Sequence, residues 1–135
     1  MKIFVLRHGM TSNAETDEAR ELTDTGVNEV EKVVKLRLDD LKNVRHIYTS
    51  PLPRVKQTLY IAKRLIGFPG SIMESPYLKT GSRLPEIIRF ASELDFDGGD
   101  VLVSSHQSCT SILVLWLTGE DILISNGSLL AIDVD

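Results

Sequence analysis

The chain carries a single cysteine, Cys109. One thiol cannot build an internal disulfide framework or a cysteine-rich zinc site. Long apolar runs are missing too. The longest, Ile112 to Leu117, falls far short of the stretch a membrane-spanning helix needs. Positive charge is not in surplus: the formal net charge is −4. That argues against a nucleic-acid or anionic-membrane partner, either of which calls for a basic surface. No internal repeat and no low-complexity segment occurs. The amino end runs straight into a strand, which leaves no room for a signal peptide and points to a cytoplasmic protein.

What is present is ordinary soluble-domain material: 135 residues, 42% hydrophobic and 25% charged. This suits one domain spanning residues 1–135 with one core. Ile3, Phe4, Val5 and Leu6 form a short apolar run that fits a buried strand. The polar stretch from Ser12 to Glu21 reads as a loop. Thr23 is a good N-cap, and Val27, Val30, Val34, Leu38 and Leu41 recur at helical spacing, which predicts one helix from about Asp24 to Leu41. A second strand covers His46 to Ser50, and Pro51 opens a helix reaching about Ile66. A short strand at Ser71 to Glu74 precedes a loop from Ser75 to Pro85. A helix follows over Leu84 to Leu94, with Ile87, Ile88, Ala91 and Leu94 inward. Val101 to Val103 is a buried strand. Ser108 to Leu117 is a very apolar helix with Trp116 in the core, and Ser128 to Val134 is the last strand. Strands alternating with helices predict an α/β fold of three layers, α/β/α. Its sheet is mostly parallel, with helices on both faces.

Parallel strands place their carboxyl ends on one edge, where ligands bind in such sheets. The first strand ends in Arg7, His8 and Gly9. The second gives Ser50 and, one helical turn later, Arg54. The fourth gives His106. Two guanidiniums offer forks that match phosphate oxygens, and two histidines supply a nucleophile and a second donor. The helix opening at Pro51 turns its positive end to the same edge, and no metal is required. Gly9 would let backbone approach a ligand closely, and the Thr11 hydroxyl can donate to phosphate. Taken alone, the Arg-His-Gly tripeptide reads equally well as a surface turn. His46 precedes the apolar part of its strand, far from the carboxyl ends, and is structural or superficial. Cys109 is read as a buried inert thiol, because Leu115 stands where a cysteine-phosphatase loop needs its arginine. Lys79 and Arg83 are solvated.

Arg7-His8-Gly9 after a strand, then Leu22-Thr23-x-x-Gly26, Ser50-Pro51-x-x-Arg54-x-x-Gln57-Thr58 and Ser105-His106, resemble the histidine phosphatase superfamily in content and order. That family is also called phosphoglycerate-mutase-like. The compact length is similar to its small SixA-type phosphohistidine phosphatases. The resemblance implies the phosphoglycerate-mutase-like fold and a two-step phosphoryl transfer. His8 attacks phosphorus, and a backbone carbonyl near Gly9 holds its other ring nitrogen. Arg7, Arg54 and His106 grip the equatorial oxygens, and water releases phosphate. Arg20 stands where SixA-type sequences carry an arginine and could reach the phosphate or lie exposed. Asn13 falls one position earlier than the asparagine often seen after the first motif.

The departures bear on substrate. Family members that cleave phosphate monoesters carry an acid after the third strand to protonate the leaving oxygen. Ser75 to Gly81 contains no carboxylate, and Glu74 and Glu86 only flank it. An alcohol leaves poorly without a proton donor, whereas an imidazole leaves well. Gln107 replaces a small or apolar residue and is expected to alter the pocket's shape. The reading is a metal-independent phosphatase, without cofactor, acting on phosphohistidine in a protein. The alternatives are a phosphatase of small phosphorylated metabolites that recruits a flanking glutamate, and a phosphate-binding module without turnover. A mutase fits least, because mutases of this fold use added segments.

Overall fold

The computed structural model describes residues 1–16, 19–95 and 97–134. Asp17 and Glu18 of the loop expected between Ser12 and Glu21 lie outside the described residues. The elements are β1 (Lys2–Arg7), α1 (Asp24–Leu36), α2 (Leu38–Leu41), β2 (Val44–Thr49), α3 (Pro53–Ile66) and β3 (Ile72–Glu74). After a 3-10 turn at Pro76–Leu78 come α4 (Leu84–Ser92), β4 (Asp100–Ser105), α5 (Gln107–Thr118) and β5 (Leu129–Asp133). Among the described residues no helix is long and apolar enough to cross a membrane.

The five strands form one sheet in the order β3-β2-β4-β1-β5. β1, β2, β3 and β4 run parallel to their neighbours, and β5 joins the edge of β1 antiparallel. Side chains along a strand alternate between faces, so the continuous apolar run of β1 serves two layers. Ile3 and Val5, with Val101 and Val103, pack under Ile87 and Phe90 of α4 and Leu113 and Val114 of α5. Phe4 and Leu6, with Ile47 and Leu102, pack under Val30 and Val34 of α1 and Leu59 and Ala62 of α3. The result is the three-layer α/β/α fold.

Several boundaries differ from expectation for local reasons. The helix read as continuous from Asp24 to Leu41 breaks at Arg37, which takes φ −112° and ψ 18° and caps α1 through its N–H. The break lets the chain turn toward β2. It leaves Leu38 exposed while Leu41 reaches the core. Pro51 does not open α3. Leu52 precedes Pro53 and is extended (φ −71°, ψ 139°), as steric conflict with a following proline favours, so the helix starts at Pro53. Trp116 is not core: it is 43% exposed, beside Leu115 at 46%. Ile88, expected inward, also faces out. α5 is apolar almost all round, so its sequence carries no periodicity from which to read the buried face.

Candidate active site

Because β1, β2 and β4 are parallel, their carboxyl ends share one edge. A cavity of about 420 Å³ opens there, and Arg7, His8, Arg54 and His106 all line it. Arg7 and His8 come from the end of β1, Arg54 from the first turn of α3, and His106 from the junction of β4 and α5. Thr11 and Arg20 also border the cavity, and so do Gln107 and Ser108 from the start of α5 and Asn126 from the loop before β5. Both α3 and α5 thus begin at this edge, with the positive ends of their dipoles toward it.

His8 is buried, 7% exposed. Its Nδ1 lies 2.8 Å from the Gly9 carbonyl oxygen. A carbonyl can only accept, so Nδ1 holds the proton and Nε2 keeps its lone pair. Burial drives the His8 pKa down from its ordinary value to about 4. The Gly9 hydrogen bond works against that shift, while the charges of Arg54, Arg7 and His106 add to it. Without substrate the imidazole is therefore neutral at pH 7, the state a nitrogen nucleophile requires.

Around this ring the motif residues interlock the elements. The Gly9 N–H donates to Thr58 Oγ1 at 3.3 Å, and that hydroxyl donates to the Arg54 carbonyl at 2.9 Å. Gln57 Oε1 accepts from the Leu22 N–H at 2.9 Å. Thr23 Oγ1 accepts from the Gly26 N–H at 3.0 Å, capping α1, and donates to the Met10 carbonyl at 3.3 Å. Gly9 is not among the residues that line the cavity, and its lack of a side chain serves a packing contact. A Cβ on Gly9 would lie 2.5 Å from the Gly26 carbonyl oxygen, and one on Gly26 would lie 2.1 Å from that of Met10. The two glycines let the β1 loop seat on the start of α1.

The remaining groups are held from other sides. Arg7 Nη1 donates to the Ile124 carbonyl at 2.9 Å, while its Nε is buried without a partner among the described residues. The Gly127 N–H donates to the carbonyls of both Arg7 and His8. Arg20 donates to the Thr11 hydroxyl and, through Nε, to the Ser12 carbonyl at 3.2 Å. His106 is 7% exposed, with Nδ1 3.4 Å from Ser108 Oγ and Nε2 3.7 Å from Cys109 Sγ. Cys109 is buried, and burial raises its thiol pKa.

Of the residues singled out from sequence, Asn13 is exposed and does not line the cavity. Ser50 is fully buried and not among the lining residues, with Oγ accepting from the Leu52 N–H at 3.3 Å. Among the described residues no carboxylate lines the cavity. Glu74 pairs with Lys56 at 3.3 Å, and Glu86 accepts from the Arg83 N–H at 3.2 Å at the start of α4. No group of three or more His, Cys, Asp or Glu side chains among the described residues is placed to hold a metal ion. Sequence reasoning missed Ser108 and Asn126. Ser108 was inferable as the second residue of a helix that begins just after His106. Asn126 carries no motif and reaches the cavity only because β5 returns alongside β1.

Comparison with known proteins bears on the fold and the family. A structure of the protein histidine phosphatase SixA complexed with tungstate superposes with a TM-score of 0.90 at 25% identity, covering 100% of this chain and 89% of that one. The α-ribazole phosphatase of Shigella flexneri superposes with a TM-score of 0.83 at 18% identity, covering 100% of this chain and 91% of that one. A protein of Agrobacterium tumefaciens assigned to the SixA phosphohistidine phosphatases gives a TM-score of 0.82 at 22% identity, covering 98% and 90%. No curated protein sequence matches the chain. The model of the histidine phosphatase superfamily (branch 1) matches residues 3–79, more than half of the chain and the part that holds Arg7, His8 and Arg54. This phosphatase therefore belongs to the histidine phosphatase superfamily.

Proposed function

We propose that the protein removes phosphate from phosphohistidine on a protein, by way of a phosphorylated His8 and without a metal. The observation that carries the reading is the composition of the cavity wall. It has two guanidiniums, a neutral histidine with Nε2 bare and a second histidine, and no carboxylate among the described residues. Nε2 of His8 attacks phosphorus in line as the bond to the leaving group breaks. Arg7, Arg54 and His106 meet the equatorial oxygens, where charge is spread in the transition state. Water then attacks the phosphohistidine, and His8 regains its lone pair as phosphate leaves. Thr11 and Arg20 supply further donors at the rim. The SixA structure on which this chain superposes holds tungstate, an oxyanion, in keeping with a phosphoryl substrate.

The missing acid supports a nitrogen leaving group. The two glutamates that a monoesterase would recruit are engaged elsewhere, in a surface ion pair and in a helix start. A second reading, hydrolysis of a small phosphorylated metabolite, is favoured by the similarity to an α-ribazole phosphatase. The test compares a phosphohistidine protein, an aryl phosphate and an alkyl phosphate in excess chelator. Phosphohistidine and aryl phosphate should be cleaved far faster than alkyl phosphate, and Glu74→Gln and Glu86→Gln should change the phosphohistidine rate little. General acid catalysis typically contributes about a hundred- to ten-thousandfold, so the alternatives separate well. Efficient alkyl-phosphate hydrolysis that collapses in either glutamine variant would overturn the substrate assignment.

A further inference from the structure

The two ring nitrogens of His106 have different neighbours. Nδ1 is 3.4 Å from Oγ of Ser108, which lines the cavity. Nε2 is 3.7 Å from Sγ of Cys109, which is 1% exposed and does not line it. What stands behind Nε2 is held in place. Ser105 Oγ donates to the Leu78 carbonyl at 2.9 Å, and the Ser82 N–H donates to the Lys79 carbonyl at 3.2 Å, so the loop after β3 is anchored beside the turn that carries His106. Cys109 Sγ lies 3.3 Å from the Lys79 carbonyl oxygen and 3.7 Å from that of Leu78. A carbonyl can only accept, and a thiol has one hydrogen to give. Burial raises the thiol pKa, so at neutral pH that hydrogen stays on sulfur. When it goes to the nearer carbonyl, sulfur presents a lone pair to Nε2, and Nε2 carries the proton of the neutral ring.

We propose that Cys109 is a positioning residue of this phosphatase: its sulfur, anchored by the Lys79 carbonyl, holds the Nε2–H of His106 and so assigns Nδ1 to the phosphoryl group. The proposal rests on the reading above in which His106 meets the phosphoryl oxygens. The arrangement is the reverse of that at His8. There a carbonyl holds Nδ1–H and leaves Nε2 bare for attack. At His106 sulfur holds Nε2–H, and Nδ1 takes a second proton from water to donate to a phosphoryl oxygen. The ring then acts as an imidazolium, whose charge-assisted hydrogen bond suits an anion better than a neutral donor does. The thiol undergoes no chemistry and touches no substrate.

Nitrogen-15 NMR of the imidazole rings reads the tautomer directly, with the His106 signals assigned by their loss in His106→Ala. In the neutral wild-type ring the hydrogen should sit on Nε2, and saturating tungstate should add one on Nδ1. Cys109→Ala removes the acceptor, so the Nδ1–H tautomer should gain population and tungstate should bind about three- to tenfold more weakly, the range of one ordinary hydrogen bond. Cys109→Ser keeps a group that can both accept and donate, and it should restore the wild-type tautomer. Because the thiol acts through His106, Cys109→Ala should weaken tungstate binding no further in a His106→Ala background, where a general structural loss would persist. A neutral wild-type ring protonated on Nδ1 overturns the proposal. So does an unchanged tautomer and affinity in Cys109→Ala, or an effect of that variant undiminished in His106→Ala. Tungstate affinity unaffected by His106→Ala would overturn the reading of His106 itself.

Discussion

His8 meets two requirements at once: a proton fixed on Nδ1 and a bare Nε2. The Gly9 carbonyl satisfies the first. Burial, reinforced by the positive groups at Arg54, Arg7 and His106, secures the second by bringing the pKa to about 4. The same shift links stability to pH. The folded value lies below that of an unfolded histidine, about 6.5, so as pH falls the unfolded chain takes up the proton first. The His8 contribution is intact above pH 6.5 and is lost progressively down to about pH 4. Imidazole NMR should therefore show no titration of His8 between pH 8 and 5, and a midpoint above 6 would contradict the assignment. In chemical denaturation at pH 7 and pH 4.5, the wild type should lose on the order of 2 kcal/mol more than His8→Gln over that interval. Residues like these are legible in sequence because they follow an unmistakable strand directly. Asn126 was not legible, since only the return of a strand from the far end of the chain brings it to the cavity.

Two elements, the loop after β1 and the amino end of α1, meet backbone against backbone at Gly9 and Gly26. Nothing larger than hydrogen fits at Gly26, where a Cβ would stand 2.1 Å from the Met10 carbonyl oxygen. Gly26→Ala must push α1 away from residues 9–12 and disturb the carbonyl that holds His8. It should destabilise the fold by about 1–3 kcal/mol and depress kcat on every substrate. Unchanged melting temperature and turnover in this variant would show that the contact does not position the site. The spacing of the motifs identified these glycines without showing what they were for, because sequence does not reveal which backbone lies opposite. Local chemistry also decided where helices began and ended. Pro53 set the start of α3 by holding Leu52 extended, and Arg37 divided a stripe that the valines had made look continuous. In α5, uniform apolarity hid the exposure of Trp116.

Across the whole molecule, three parallel strands deliver three pieces of chemistry to one edge, and the antiparallel β5 brings its preceding loop into hydrogen-bond contact with the end of the first of them. That arrangement follows from alternating strands and helices, which is why the fold class and the meeting of Arg7, His8, Arg54 and His106 could be anticipated. The substrate depends instead on the side chains lining one cavity, and a motif that ends at His106 does not reach all of them. On the proposed mechanism, the groups at this edge serve to phosphorylate His8. The most direct measurement is rapid-quench trapping of the enzyme during turnover of a radiolabelled phosphodonor, with the labelled residue located by peptide mapping. Acid-labile, base-stable label should accumulate on His8 and be absent, together with turnover, in a folded His8→Ala enzyme. Turnover that persists in His8→Ala, or label confined to another residue, would contradict the account.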